Sequence, residues 1–91
     1  MSYLIDFTQD AMEDIERLKK SGNKQVLKKL ASLFVELQEH PRTGTGQIEV
    51  LKYYQEETWS RRINKEHRLV YRIYDDTVHV LVISVYGHYT S

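Results

Sequence analysis

The 91-residue sequence holds no cysteine, one proline and four glycines, and each scarcity narrows what the chain can be. Without cysteine there is no disulfide framework, no thiolate metal site and no cysteine nucleophile, and a small chain of this kind is expected in the cytoplasm. No stretch approaches the ~20 apolar residues that span a bilayer. Met1 to Asp10 also lacks a basic stretch running into an apolar one, so neither membrane insertion nor secretion is expected. Charge of one sign is not in excess: 13 basic residues balance 13 acidic ones, and bulk charge announces no polyanionic partner. The segment Thr43-Gly44-Thr45-Gly46 is too short for a phosphate-cradling P-loop and lacks its Lys-Ser/Thr ending. His40, His67, His79 and His88 show none of the paired spacings of metal sites, so no metal and no other cofactor is expected. Hydrolase triads fare no better, since no serine, lysine or aspartate stands in a nucleophile motif.

What is present is a clear change of hydrophobic period. With 41% hydrophobic residues, the chain is of a size to bury one core, and one domain over residues 1–91 is expected. Tyr3, Leu4, Ile5 and Phe7 form a short strand-like run, and Thr8 offers a hydroxyl cap to a helix with Asp10, Glu13 and Asp14 in its first turns. Ala11, Ile15 and Leu18 recur at helical spacing until Ser21-Gly22. Asn23 can cap a second helix, in which Val26, Leu30, Phe34 and Leu37 repeat as far as His40-Pro41, where proline disfavours helix. The two helices should form an antiparallel hairpin. After a turn around Gly44 and Gly46, four segments rich in β-branched and aromatic residues follow: Val50 to Tyr53, Thr58 to Ile63, Arg68 to Tyr74 and Val78 to Tyr86. In the third, Leu69, Tyr71 and Ile73 alternate with Arg68, Val70, Arg72 and Tyr74, so one face is apolar and the other carries two arginines. The expected fold class is α+β, an N-terminal strand and a two-helix hairpin packed on a twisted antiparallel sheet.

Between Arg61 and Arg72 five cations (Arg61, Arg62, Lys65, Arg68, Arg72) face one acid, Glu66, which suits either a solvated strand edge or a phosphate-binding surface. Glu49, Lys52, Arg61, Arg62, Arg68, His88 and Tyr89 fall near strand ends. RNA carries its own nucleophile, the 2′-hydroxyl, so an enzyme without metal needs only a base, a cation for the phosphorane charge and an acid for the leaving 5′-oxygen. Glutamate, arginine and histidine match those roles. Taken singly, each residue also has a plainer reading: Glu49 as an exposed strand residue, His88 as a surface residue near a terminus, Tyr89 as packing at a core edge.

The run Trp59-Ser60-Arg61-Arg62-Ile63-Asn64-Lys65-Glu66-His67-Arg68-Leu69-Val70-Tyr71 resembles the W-S-R-R-I-x-x-E-H-R-L-V-Y stretch of YoeB toxins in the RelE superfamily. Upstream, Gly44 to Lys52 is similar to that family's G-x-G-x-x-E-x-L-K, and Gly87-His88-Tyr89 to its terminal His-Tyr. The resemblance covers essentially the whole chain. It implies a RelE-like microbial-RNase fold and a type II toxin that cleaves messenger RNA in the ribosomal A site. By it, Glu49 is the general base, Arg68 the phosphate stabiliser, His88 the general acid and Tyr89 a residue that orients or stacks on the substrate, with Lys52 and Arg62 as further phosphate contacts. The chain departs from the pattern in running on through Thr90-Ser91. It also lacks an arginine that some relatives carry just before His-Tyr, leaving that contact unmade or supplied by Arg61 or the ribosome. The implied partners are mRNA on the 70S ribosome and a cognate YefM/Axe-like antitoxin, with a homodimer also open and no membrane. The competing reading is a non-catalytic RelE-fold module that blocks the ribosome or another target, because a fold alone does not fix an activity.

Overall fold

A computed structural model describes residues 2–87. The chain enters through β1 (Leu4–Phe7) and turns into α1 (Gln9–Ser21) at Thr8. The Thr8 hydroxyl accepts from the Ala11 amide and donates to the Ile83 carbonyl, so one side chain caps the helix and ties it to the sheet. Gly22 ends α1 in the left-handed region (φ 73°), where a side chain is costly. Immediately afterwards the Asn23 carboxamide accepts from the Val26 amide and starts α2 (Lys24–Glu39). The two helices thus reverse direction over two residues.

The strands that follow are β2 (Glu49–Leu51), β3 (Thr58–Arg62), β4 (Arg68–Tyr74) and β5 (His79–Ser84). They form the expected antiparallel meander, and β1 then joins β5 in parallel, giving a mixed sheet of order β1-β5-β4-β3-β2. The parallel pairing has a simple cause: the helix hairpin and meander between β1 and β5 supply the long crossover that parallel neighbours require. A bulge between Val70 and Tyr71 shifts the β4–β5 register.

Leu18, Leu30, Leu33 and Leu37 from the helices meet Leu69, Tyr71, Val80 and Val82 from the sheet in one core, with Phe7 edge-on to Phe34 at 5.4 Å. Each fully buried leucine removes apolar surface worth roughly 1.5–3 kcal/mol. Leu69, Tyr71 and Ile73 face the helices as their alternation requires, and Arg68, Val70 and Arg72 are left on the open face.

Arg61 departs from the expectation that it contacts phosphate. It lies on the helix side of β3 with no exposed surface, and all five N–H groups of its guanidinium are taken up inside the protein. Nε donates to the Tyr71 hydroxyl, Nη1 to Glu36 (3.0 Å) and the Thr45 carbonyl, and Nη2 to the carbonyls of His40 and Thr43 at 2.7 Å each. The Tyr71 hydroxyl donates in turn to the Pro41 carbonyl, and burial pushes this phenol's pKa up against the opposing pull of Arg61. Glu36 in turn accepts from the amide and the hydroxyl of Thr45. A side chain at Gly44 (φ 123°) would collide with the Glu36 carboxylate and the Arg61 guanidinium, which accounts for glycine there.

Burial raises the cost of ionising Glu36, but the two Thr45 bonds, Arg61 and Lys29 outweigh it and hold the carboxyl below its ordinary 4.5. A carboxyl depressed in the folded state adds stability above its unfolded value and loses it as pH falls through the folded one. The melting temperature of the parent should therefore fall as pH drops below 4.5, and Glu36→Gln should be less stable near neutrality with a shallower acid slope. Asp75, also depressed, by hydrogen bonds from Arg42 and Tyr3, is common to both proteins. Parallel melting-temperature curves over about pH 3 to 6 would refute the Glu36 contribution.

Candidate functional site

The open face of the sheet gathers charge where β2, β3 and β4 lie side by side. Across the strands Glu49 stands opposite Ser60, Ser60 opposite Val70, and Arg62 opposite Arg68. Directly opposed residues share a face with Cβ atoms about 4.5–5.5 Å apart, so Glu49, Ser60, Arg62 and Arg68 occupy one patch. Glu49 and Arg62 are exposed, and Lys52 is exposed in the turn that follows β2. Arg72 continues the face two residue pairs along β4, bonded to Thr58 and paired with Glu56 at 3.2 Å. His88 and Tyr89 lie outside the described residues.

Arg68 is almost wholly buried, at 8% exposure, and is aimed by its surroundings. Its Nε and Nη2 both donate to the Ser60 hydroxyl oxygen (3.2 and 3.0 Å), and Nη2 also donates to the Gln47 carbonyl at 3.0 Å. Gln47 adopts a left-handed backbone (φ 49°), a strained choice for a residue with a side chain, and its carbonyl meets Arg68 from that position. The segment leading to Gln47 is the one pinned by Arg61 and Glu36, and the Gly46 carbonyl accepts from the Arg62 amide. Glu49 therefore begins β2 from a fixed point.

At the other side of the patch, the loop between β3 and β4 grips Gly87. The Arg68 amide donates to the Gly87 carbonyl (2.9 Å), and the Gly87 amide donates to Nδ1 of His67 (2.8 Å). That bond assigns the ring proton of neutral His67 to Nε2. Tyr86 packs on the His67 ring at 4.6 Å, and the Arg17 guanidinium lies over the Tyr86 ring, 4.5 Å from its centre. Gly87 is held beside the first residue of β4 from both ends of its own backbone.

Of the residues expected at a site, Glu49, Arg62 and Arg68 thus come together, Lys52 lies adjacent in the turn, and Arg61 is buried beneath them on the opposite face. Ser60, Gln47 and His67 were not anticipated as parts of it. Strand alternation could have found Ser60, since it falls on the Arg62 side of β3; nothing in the sequence announces the backbone of Gln47 beyond its place next to Gly46. Among the described residues no three His, Cys, Asp or Glu side chains converge as metal ligands. A carboxylate and a held guanidinium on one face of the sheet are suited to proton transfer and charge stabilisation at a phosphodiester.

A family described as YoeB-like toxin of bacterial type II toxin-antitoxin system matches residues 7–89. Toxin YoeB of Mycobacterium bovis is 38% identical over 77 residues, covering 85% of this chain and 89% of its own. A YoeB dimer from Staphylococcus aureus superposes with a TM-score of 0.84 at 33% identity, and a YoeB-YefM complex from the same organism with 0.79 at 34%; each covers 98% of this chain and 100% of its own. The archaeal RelE of a RelE-RelB complex from Pyrococcus horikoshii, at 11% identity and a TM-score of 0.78, shares the fold. The chain belongs to the YoeB-like toxins of bacterial type II toxin–antitoxin systems, built on the RelE-like fold.

Proposed function

We propose that the chain is a ribosome-dependent endoribonuclease that cuts messenger RNA in the A site of the 70S ribosome and so arrests translation. The observation that carries the reading is the shared face of Glu49 and Arg68, with Arg68 buried and aimed while Glu49 is exposed. A pure blocking module has no use for that pairing. In the proposed reaction Glu49 takes the proton of the 2′-hydroxyl, and the 2′-oxygen forms a bond to phosphorus. The bond from phosphorus to the 5′-oxygen then breaks, with His88 returning a proton to that oxygen and Tyr89 orienting the nucleotide. The products are a 2′,3′-cyclic phosphate and a 5′-hydroxyl, without metal. Arg68 stabilises the charge that grows on the phosphorane, and Lys52 and Arg62 hold flanking phosphates.

Acid and base would supply about 10²–10⁴ each, which leaves the rest of the acceleration to alignment and to Arg68. The net neutral chain offers little affinity of its own for RNA, so the ribosome is the natural holder of the substrate. In the cell a YefM/Axe-like antitoxin would neutralise the toxin by laying an acidic, fold-on-binding segment over the cationic face. The YoeB-YefM complex of Staphylococcus aureus supports such a partner, and its YoeB dimer supports a homodimer. The cytoplasm is the proposed site of action; no described helix is long and apolar enough to cross a membrane.

The test is a message with a single 2′-deoxy sugar just upstream of the scissile phosphate, loaded on purified ribosomes at constant magnesium. Cutting should vanish at that position with the toxin still bound, and on unmodified message Arg68→Ala should lose about 10²-fold or more. Continued cutting at the 2′-deoxy position, or a 5′-phosphate on the downstream fragment, would mean that an activated water attacks instead.

A further inference from the structure

Arg68 is almost wholly buried, and its guanidinium donates to the Ser60 hydroxyl oxygen and to the Gln47 carbonyl. Ser60 is fully buried, and its oxygen accepts two N–H groups from the same guanidinium, along the Nε–Nη2 edge of the fork. Two bonds to one atom on that edge fix the plane of the group as well as its position. Ser60 is also the cross-strand partner of Glu49, so the residue that accepts from Arg68 lies on the strand between Arg68 and Glu49.

We propose that Ser60 is a positioning residue of the cleavage site, its hydroxyl locking the Arg68 guanidinium in the plane and at the distance from Glu49 that the scissile phosphate requires. The proposal rests on the reading that Arg68 meets that phosphate. Few other side chains can do this. Alanine removes the hydroxyl acceptor from the Nε–Nη2 edge of the fork, cysteine offers only a weak one, and an acidic residue would place a further negative charge beside the guanidinium.

Ser60→Ala and Ser60→Cys are compared with the parent in single-turnover cleavage on programmed ribosomes, with Arg68→Ala alongside. Loss of a hydrogen bond to a charged group predicts a fall in kcat of about tenfold or more for both variants, with KM for the programmed ribosome within about twofold, as expected of an interaction expressed in the transition state. Cysteine keeps the packing, so a variant that folds is in hand even if alanine disturbs β3. The second readout is the Arg68 Nε–H resonance of the parent toxin, identified by its disappearance in Arg68→Lys. It should be protected from exchange with water in the parent and lose that protection in both Ser60 variants, which a general loosening of the fold, followed by the backbone amides of β3 and β4, would not do selectively. Ser60→Cys with kcat within about twofold of the parent, or with the Nε–H signal as protected as before, overturns the proposal. If Arg68→Ala cuts as well as the parent, the assignment of Arg68 itself is at fault, and the resonance still reports whether Ser60 holds it.

Discussion

A guanidinium with no exposed surface sits between the sheet and α2, and a charge so placed is tolerable only if every donor finds an acceptor. Arg61 meets that condition by drawing in one carboxylate, one phenol and three backbone carbonyls, and those acceptors come from α2, β4 and the segment between α2 and β2. Satisfying one buried cation therefore fixes a stretch that carries no regular secondary structure of its own. That stretch delivers the Gln47 carbonyl to Arg68 and then starts β2 at Glu49. The geometry on the open face is in this sense the outer consequence of an ion pair on the hidden one.

Four arginines of one short segment have four environments. Arg61 is structural, Arg62 is exposed, Arg68 is buried and donates to Ser60 and Gln47, and Arg72 is half-buried against Glu56. The balanced net charge conceals this division. An arginine paired with glutamate, as Arg61 and Arg72 are, contributes little to a surface potential, so the cationic character of the face is carried by fewer groups than the sequence suggests.

The elements themselves were legible because they follow from local chemistry. The caps Thr8 and Asn23, the stop at Gly22 and the alternation in β4 are each decided by residues within a few positions of one another. The parallel pairing of β1 with β5 is decided between residues some 75 positions apart in sequence, such as Leu4 and His79, and no local pattern carries it. The burial of Arg61 is hidden from the local sequence for the same reason: strand periodicity puts it on the helix face, but only the far-off Glu36 and the carbonyls of residues 40–45 make that face hospitable to a charge. At the site, residue type and family resemblance picked out Glu49, Arg62 and Arg68, whereas His67 and Gln47 act through a ring nitrogen and a backbone carbonyl whose direction no side-chain pattern encodes.

Backbone hydrogen exchange in Arg61→Lys measures the dependence of the site on this anchor most directly. Lysine keeps the charge and lacks the planar fork, so it can reach Glu36 but cannot span five acceptors. The amides of Thr45 and Arg62, bonded to Glu36 and to the Gly46 carbonyl, should lose protection in the variant while the core amides of β4 and β5 keep theirs, and cleavage should fall with them. If Thr45 and Arg62 exchange as slowly as in the parent, the segment before β2 is held by something other than Arg61, and the account of how Glu49 and Arg68 are set in place is wrong.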